Sequence, residues 1–260
     1  MIRDGDRIAV ALSGGKDSTA LLLLLHAVIP GWKDVSLVAI TVDEGIAGYR
    51  EDTVGAAVSL VWELGIDHHI VSFQDLFGST LNTFLTGQES RACTVCGILR
   101  KKALVTAAKR VGATKLATGH NLDDEAQSVL MNALRGDLSR LVRESGEETG
   151  YFIPRIKPLR DISEKEIAAY LIVSGHWSDL PECPYTRFAL RAEVRTMLSG
   201  LEYRYPGTMR RLIGSRKKIR ERIGKTGLSG PIKYCTRCGD PCSGELCQTC
   251  QLLGSLTGKD

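Results

Sequence analysis

The chain has no apolar run able to cross a bilayer: the longest, Leu21 to Ile29, is nine residues interrupted by His26, against about 20 for a spanning helix. It shows no export signal either, because the opening MIRDGDR is charged and leads into a short apolar stretch that ends at glycines. Internal repeats and low-complexity tracts are missing. So is a complete Walker A motif, since Gly224-Lys225-Thr226 lacks the glycine five residues earlier. These absences predict a soluble, cytoplasmic protein with no membrane partner. They also govern the reading of the eight cysteines: where thiols are kept reduced, metal ligation is a better default than a disulfide framework.

What is present begins with a hydrophobic content of 43% over 260 residues, enough to bury one full core and a small appendage. From Arg7, short β-branched runs alternate with longer helical patterns. Strands are expected at Arg7 to Leu12, Ser36 to Val42, His68 to Phe73, Lys115 to Thr118 and Ile156 to Leu159. Helices are expected at Asp17 to Val28, Thr53 to Leu64, Cys96 to Val111, Asp124 to Arg135 and Ser163 to Ser174. Strands separated by helices make a parallel sheet with right-handed crossovers, so the fold class is α/β: a Rossmann-like sheet of about five strands with helices on both faces. After Pro181 come short basic helices, a Gly-rich linker from Gly224 to Gly230, and a cysteine-dense tail. The expected organisation is a catalytic domain over 1–180, a basic helical segment and linker over 181–230, and a zinc module over 231–260.

The net charge of +4 conceals an asymmetry. Residues 187–233 carry 13 Lys and Arg against 3 Asp and Glu, a net of +10, while the rest of the chain nets −6. Such a stretch suits a polyanion, and a solvated Lys/Arg-rich helix face is the bland alternative.

Ser13-Gly14-Gly15-Lys16-Asp17-Ser18 follows the first strand and opens the first helix. Two glycines allow close backbone approach, the helix N-terminus offers N–H groups and a positive dipole end, and Lys16 adds a point charge, with hydroxyls from Ser13 and Ser18. The hexapeptide resembles the SGGxDS loop of the ATP pyrophosphatase family, whose members cleave ATP between the α and β phosphates. In an open parallel sheet the ligand lies beyond the strand C-termini, where the winding reverses. The facing wall is then Gly119-His120-Asn121-Leu122-Asp123-Asp124-Glu125, whose carboxylates suit magnesium or a nucleobase. One of those acids is expected merely to cap the next helix.

Cys93-x-x-Cys96 opens a helix, and Cys183 stands alone in Pro181-Glu182-Cys183-Pro184-Tyr185. Three soft ligands from two segments suit an iron–sulfur cluster with one iron left open to bind sulfide; a redox dithiol, a catalytic persulfide and a plainly buried Cys183 are the rivals. Arg100, one helical turn beyond Cys96, faces the same way. Cys235-x-x-Cys238, eight residues, then Cys247-x-x-Cys250 suits tetrahedral zinc, and four thiolates leave no open position for chemistry, so this metal is structural. Cys242 is left over as a bystander. On this reading the zinc site has no reason to communicate with the cluster.

The SGGKDS loop, the run Asp43-Glu44-Gly45-Ile46-Ala47-Gly48-Tyr49-Arg50, the C-x-x-C-Gly helix, LATGHNLDDEAQ (Leu116 to Gln127) and the terminal cysteine pairs together resemble the tRNA 2-thiouridine synthetases of archaea, eukaryotes and thermophilic bacteria. The resemblance extends over nearly the whole chain. It implies a tRNA uridine 2-sulfurtransferase that uses ATP and Mg, with a 4Fe-4S cluster on Cys93, Cys96 and Cys183 and Zn on Cys235, Cys238, Cys247 and Cys250. It places the nucleotide among Ala11, Ser13, Gly14, Gly15, Lys16, Asp17, Ser18, Val42, Arg100 and Gly119, and gives catalytic roles to Lys16, Asp124 and Arg100. It further implies tRNA as partner, sulfide or a ubiquitin-like carrier protein as sulfur donor, and a homodimer. The related cytidine thiolases lack the terminal zinc module, which favours uridine, and the wobble uridine is preferred to that of the T-loop. The family's usual N-terminal zinc module has no counterpart in the six residues before the first strand, whether by truncation or by loss. Two rivals share part of this pattern. Another adenylating enzyme, such as a tRNA lysidine synthetase or an amidating enzyme, needs no soft metal. A non-catalytic nucleic-acid-binding zinc protein needs no intact SGGKDS.

Overall fold

The computed structural model describes residues 1–142, 153–186, 190–223 and 233–257; the expected linker from Gly224 to Gly230 lies outside them. Strands β1 (Arg7–Ala11), β2 (Ser36–Asp43), β3 (Asp67–Ser72), β4 (Lys115–Ala117) and β5 (Arg155–Ile156) form one parallel sheet in the order β3-β2-β1-β4-β5. A two-stranded antiparallel ribbon, β6 (Lys233–Tyr234) and β7 (Pro241–Cys242), belongs to the tail. The longer helices are α1 (Lys16–Val28), α2 (Arg50–Leu64), α5 (Ala92–Arg110), α6 (Leu122–Leu134), α8 (Glu164–Val173), α9 (Leu190–Arg204), α10 (Thr208–Ile223) and α11 (Gln248–Thr257). The shorter ones are α3 (Phe73–Phe77), α4 (Leu81–Phe84) and α7 (Leu138–Val142).

Side-chain alternation decides which helix covers which face. Ile8, Val10 and Leu12 pack with Leu21, Leu22 and Leu25 of α1, Leu60 and Val61 of α2, and Ile167 and Leu171 of α8. Ala9, Val38, Ile40 and Leu116 turn to the other face and meet Ala107 and Ala108 of α5, where small side chains let the helix lie close. Both faces are therefore covered, as a parallel sheet requires. The winding runs outward from β1 to β3 and then reverses to β4 and β5, so the switch point falls between β1 and β4.

All five expected strands are present, with shifted boundaries. The third ends at Ser72, whose Oγ accepts the Asp75 N–H at 2.9 Å, so Phe73 opens a helix instead of closing the strand. Helix α2 starts at Arg50, three residues before the expected Thr53, and α5 starts at Ala92, which puts Cys93 inside its first turn. Helix α6 starts at Leu122 because Asn121 caps it, with Asp124 as the reciprocal partner. The fifth strand holds Arg155–Ile156 in place of Ile156 to Leu159.

The basic segment folds onto the main body. Val194 and Leu198 of α9 and Met209 of α10 bury against Leu122 and Ala126 of α6. Below this apolar seam, Glu125 Oε1 takes Lys157 Nζ at 2.5 Å and its Oε2 takes Arg216 Nη1 at 3.2 Å, with Glu125 only 4% exposed. Burial alone would raise the Glu125 carboxyl, but Lys157 and Arg216 outweigh it and hold it below the usual carboxylate range. A depressed carboxylate stabilises the fold above its unfolded pKa and loses that contribution as pH falls through the folded value. Removing one partner of a buried ion pair costs about 3–5 kcal/mol. Glu125→Ala is accordingly expected to lower stability by about that amount in urea melts at neutral pH, and the gap from the parent should narrow in acid. A gap that is constant with pH would assign the loss to packing.

Candidate functional site

The loop after β1 is shaped by steric necessity. Gly14 has φ +87°, and a Cβ there would lie 1.9 Å from the Thr53 carbonyl oxygen of α2. Ser18 Oγ donates to the Gly15 carbonyl at 2.8 Å and accepts the Ser13 N–H at 3.1 Å, closing the turn on itself. Gly15 then caps α1 in an extended conformation, its carbonyl accepting the Ser18 and Thr19 N–H groups at 3.1 Å each, which leaves the Lys16 and Asp17 amides at the helix end. Ala11 ends β1 just before this turn.

The wall facing it is built equally closely. A Cβ on Gly119 would sit 2.9 Å from the Asp17 carbonyl carbon, so the β4–α6 loop lies directly on the first turn of α1. Asn121 Nδ2 donates to Asp17 Oδ1 at 3.0 Å, which pins the two loops together across the switch point. Lys16 Nζ lies 3.0 Å from Asp17 Oδ2 and 2.9 Å from Glu164 Oε1. Burial opposes its charge, but Asp17 and Glu164 outweigh burial and raise the Lys16 pKa, so the cation is secure.

Each of the three acids in this wall has a structural partner. Asp123 Oδ2 accepts the Glu164 N–H at 2.8 Å. Asp124 accepts the Asn121 N–H at 3.4 Å and pairs with Arg191 Nη1 at 3.0 Å. Glu125 faces away into the Lys157–Arg216 pair. The acid in the capping box is thus Asp124, the same residue to which resemblance gives a functional role. Its pairing with Arg191 brings α9 to the rim of the crevice between α1 and α6.

A chain of charges leads from this crevice to the cysteines. Arg50 Nη1 donates to the Ser13 carbonyl at 2.9 Å and Nη2 to the Val42 carbonyl at 2.5 Å. Its Nε lies 2.8 Å from Glu44 Oε2, a contact too poorly aligned for a hydrogen bond and so held as an ion pair. Glu44 Oε1 takes Arg100 Nε at 2.6 Å, and Arg100 Nη2 reaches Cys96 Sγ at 3.1 Å. Glu44 and Arg50 are 3% and 4% exposed, whereas the Arg100 side chain is 46% exposed. The sequence singled out the run Asp43 to Arg50 without giving its charged members a task; the signal was a Glu and an Arg flanking an otherwise small, apolar turn.

Cys93, Cys96 and Cys183 lie in one neighbourhood. Cys93 Sγ lies 3.8 Å from the Tyr185 carbonyl, two residues beyond Cys183, and Cys96 and Cys183 share an apolar cluster with Val95 and Leu99. The loop carrying Cys183 is anchored by the Tyr185 hydroxyl on Asn82 Oδ1 at 3.0 Å. Burial pushes the Cys96 thiol up to about 11, with Arg100 pulling against it. The donor set, three soft sulfurs beside one guanidinium, fits an anionic iron–sulfur cluster.

Cys235, Cys238, Cys247 and Cys250 bring their sulfurs within 4.8 Å of one another, a fit to one tetrahedral ion. Cys242 stays outside this set, with its Sγ 3.1 Å from the Gly244 carbonyl. The tail that carries these four cysteines packs on the helix that carries Cys93 and Cys96, although the sequence offers no reason for the two groups to communicate. Leu252 of α11 buries with Val95, Cys96 and Leu99 of α5, and Asp240 pairs with Lys102 and Lys109 of the same helix. The helix that carries Cys93 and Cys96 is therefore held from behind by the cysteine-rich tail. In metal-loaded protein, Cys247→Ser is expected to loosen α11 from α5 and to speed iron loss to a chelator several-fold. Iron retention equal to the parent's would restore the view that the sites are independent.

Among the described residues, no helix is long and apolar enough to cross a membrane. The sequence profile of the PP-loop domain matches residues 2–198. The tRNA 2-thiolation protein NcsA of Haloferax volcanii is 38% identical over 267 residues, which span 95% of this chain and 81% of that protein. Cytoplasmic tRNA 2-thiolation protein 1 of Bos taurus is 38% identical over 271 residues, spanning 98% of this chain and 76% of that protein. Among solved structures, the U34-tRNA thiolase NcsA from Methanococcus maripaludis with its 4Fe-4S cluster superposes with a TM-score of 0.80 at 32% identity, covering 97% of this chain and 81% of that one.

Proposed function

The chain belongs to the PP-loop family of tRNA 2-thiolation proteins, and from that premise we propose that it is a cytoplasmic enzyme that adenylates O2 of a tRNA uridine with ATP and replaces that oxygen with sulfur. The U34 in the name of the Methanococcus maripaludis relative supports the wobble uridine over the T-loop uridine. One observation carries the reading: the phosphate loop and the cysteine group are parts of one network, from the Ser13 carbonyl through Arg50, Glu44 and Arg100 to Cys96 Sγ.

In the proposed reaction, Lys16 and the first-turn amides of α1 hold the phosphates of ATP. Magnesium would draw on Asp17 and Asp124, whose oxygens it would share with Lys16, Asn121 and Arg191, and Ala11, Val42 and Gly119 line the remainder of the nucleotide site. Attack of uridine O2 on the α-phosphorus expels pyrophosphate and turns a poor leaving oxygen into part of AMP. Sulfur delivered as hydrosulfide then adds at C2, AMP departs, and one proton is released, with no net oxidation or reduction. Cys93, Cys96 and Cys183 would hold a 4Fe-4S cluster, which supplies a binding place for that sulfur. Arg100, exposed beside Cys96, offers positive charge to an anionic sulfur species or to the adenylate. The four tail thiols would hold structural zinc.

The proposal divides the chain into a catalytic part over 1–180, a tRNA-binding part over 181–230 and a zinc module over 231–260. It extends to sulfide or a ubiquitin-like thiocarboxylate carrier as sulfur donor and to a homodimer. Arg210, Arg211, Lys217 and Lys218 are exposed on α10. Replacing all four with alanine should weaken tRNA binding and flatten its salt dependence by up to about 0.7–0.9 of a log unit per lost phosphate contact. An unchanged salt slope would return α10 to a solvated face. The test of the function itself is mass spectrometry of tRNA nucleosides after anaerobic incubation with ATP and sulfide. Appearance of 2-thiouridine with release of pyrophosphate is expected; a nucleoside profile without it would refute the reading.

A further inference from the structure

Glu44 is buried at the C-terminal edge of β2, where its two carboxylate oxygens face two different arginines. Oε2 lies 2.8 Å from Arg50 Nε, and Oε1 lies 2.6 Å from Arg100 Nε. Each arginine then makes its next contact in a different functional group. Arg50 donates to the Ser13 carbonyl, the first residue of the phosphate loop, and to Thr53 Oγ1 at 2.8 Å; the Thr53 carbonyl is the atom that forbids a side chain at Gly14. Arg100 places Nη2 on Cys96 Sγ.

A carboxylate at 3% exposure is costly unless its partners neutralise it. Here two guanidiniums do so, and one of them is itself only 4% exposed. Without the acid, Arg50 would be a buried cation left with neutral partners, the Ser13 and Val42 carbonyls and the Thr53 hydroxyl, and half-exposed Arg100 would keep its contact with Cys96 Sγ but lose its carboxylate anchor.

We propose that Glu44 is a positioning residue shared by both halves of the reaction, fixing the phosphate loop through Arg50 and the guanidinium beside the cluster-bearing Cys96 through Arg100. The proposal rests on the functional reading above, in which Ser13 to Ser18 bind ATP and Cys96 ligates the cluster. It adds that a single carboxylate sets the geometry of both.

The test compares Glu44→Gln and Arg100→Ala with the parent, all reconstituted anaerobically with iron and sulfide. Two quantities are read without turnover: the dissociation constant of a non-hydrolysable ATP analogue, and the rate at which a chelator strips the iron. Loss of a residue that orients a ligand-contacting group typically weakens metal affinity by about 10- to 100-fold, so iron loss should speed up by about that factor in both variants. Analogue affinity should fall further in Glu44→Gln than in Arg100→Ala, because Glu44→Gln loosens Arg50 and Arg100 together whereas Arg100→Ala leaves the Glu44–Arg50 pair intact. If Glu44→Gln fails to fold, Glu44→Asp keeps the charge that Arg50 needs but is one methylene too short to span both guanidiniums, so at least one of the two readouts must move. A Glu44→Gln protein that melts earlier yet matches the parent in both readouts overturns the positioning role, as does movement of only one readout, or a Glu44→Asp protein equal to the parent. A parent that neither binds the analogue nor retains iron would instead sink the functional reading beneath it.

Discussion

Cys183→Ala protein, reconstituted anaerobically with iron and sulfide, is expected to fall from about four irons per chain to background and to lose the broad visible absorption of an iron–thiolate cluster. It should make no detectable 2-thiouridine. The substitution tests ligation and not folding, because Cys183 lies on a loop that other contacts hold. Tyr185 is anchored on Asn82 at 3.0 Å, and Thr186 N and Oγ1 both donate to the Cys183 carbonyl, at 3.1 and 2.8 Å. None of these bonds uses the thiol. Two remaining ligands, Cys93 and Cys96, occupy one face of one helical turn and cannot enclose a cubane by themselves. The rival in which Cys183 carries a persulfide predicts a different pattern: thiolation that needs no iron, survives chelation, and depends only on a reduced thiolate. A metal-free preparation that thiolates tRNA at the parent rate would defeat the cluster while leaving adenylation untouched.

The legible part of this molecule was the part set by periodicity and by short chemical signatures. The central strands β1, β2 and β4 are legible because helices bury both of their faces and leave the apolar signal undiluted, whereas the edge strand β3 has no fully buried residue and is marked only by its Ile70-Val71 pair. Boundaries slipped where a polar side chain is satisfied inside the fold. Arg50 reads as a loop residue, yet it opens α2 with its charge buried against Glu44 and two carbonyls. Phe73 reads as the last residue of a strand, yet a serine one position earlier caps a helix. In both cases a tertiary or capping contact overrides local propensity.

The site divides in the same way. Its two cysteine groups and its SGGKDS loop stood out because the required residue types at the required spacing are rare by chance. The groups that orient them did not. Glu44, Asn121 and Glu164 are ordinary polar residues whose importance comes only from what lies opposite: two arginines for Glu44, Asp17 for Asn121, Lys16 for Glu164. The docking of α11 on α5 was equally hidden, since Leu252 and Leu253 read as the apolar face of any short helix until Cys96 and Leu99 are seen beneath them.

Lys16→Ala is expected to reduce ATP-dependent pyrophosphate release with tRNA by about 10²- to 10³-fold, the usual loss when one pre-placed electrostatic donor is removed from a reacting group. The loss has two sources. The substitution deletes the one side-chain cation of the phosphate loop, and it leaves Asp17 and Glu164 without the Lys16 ammonium that lies 3.0 and 2.9 Å from them. Of these, Glu164 keeps Arg195 as a second cationic partner and Asp17 keeps Asn121, so the excess negative charge falls mainly beside the phosphates, where it repels the ligand. Stability should change little, because alanine favours the first turn of a helix and partly exposed ion pairs contribute at most about 1 kcal/mol. Iron content and cluster absorption should equal the parent's, since Lys16 makes no contact with the Arg50–Glu44–Arg100 line. Lys16→Arg, which keeps the charge on a bulkier head, should recover part of the rate and not all of it. A Lys16→Ala protein that binds ATP and releases pyrophosphate at the parent rate would remove the phosphate site from this loop, even if every cysteine prediction held.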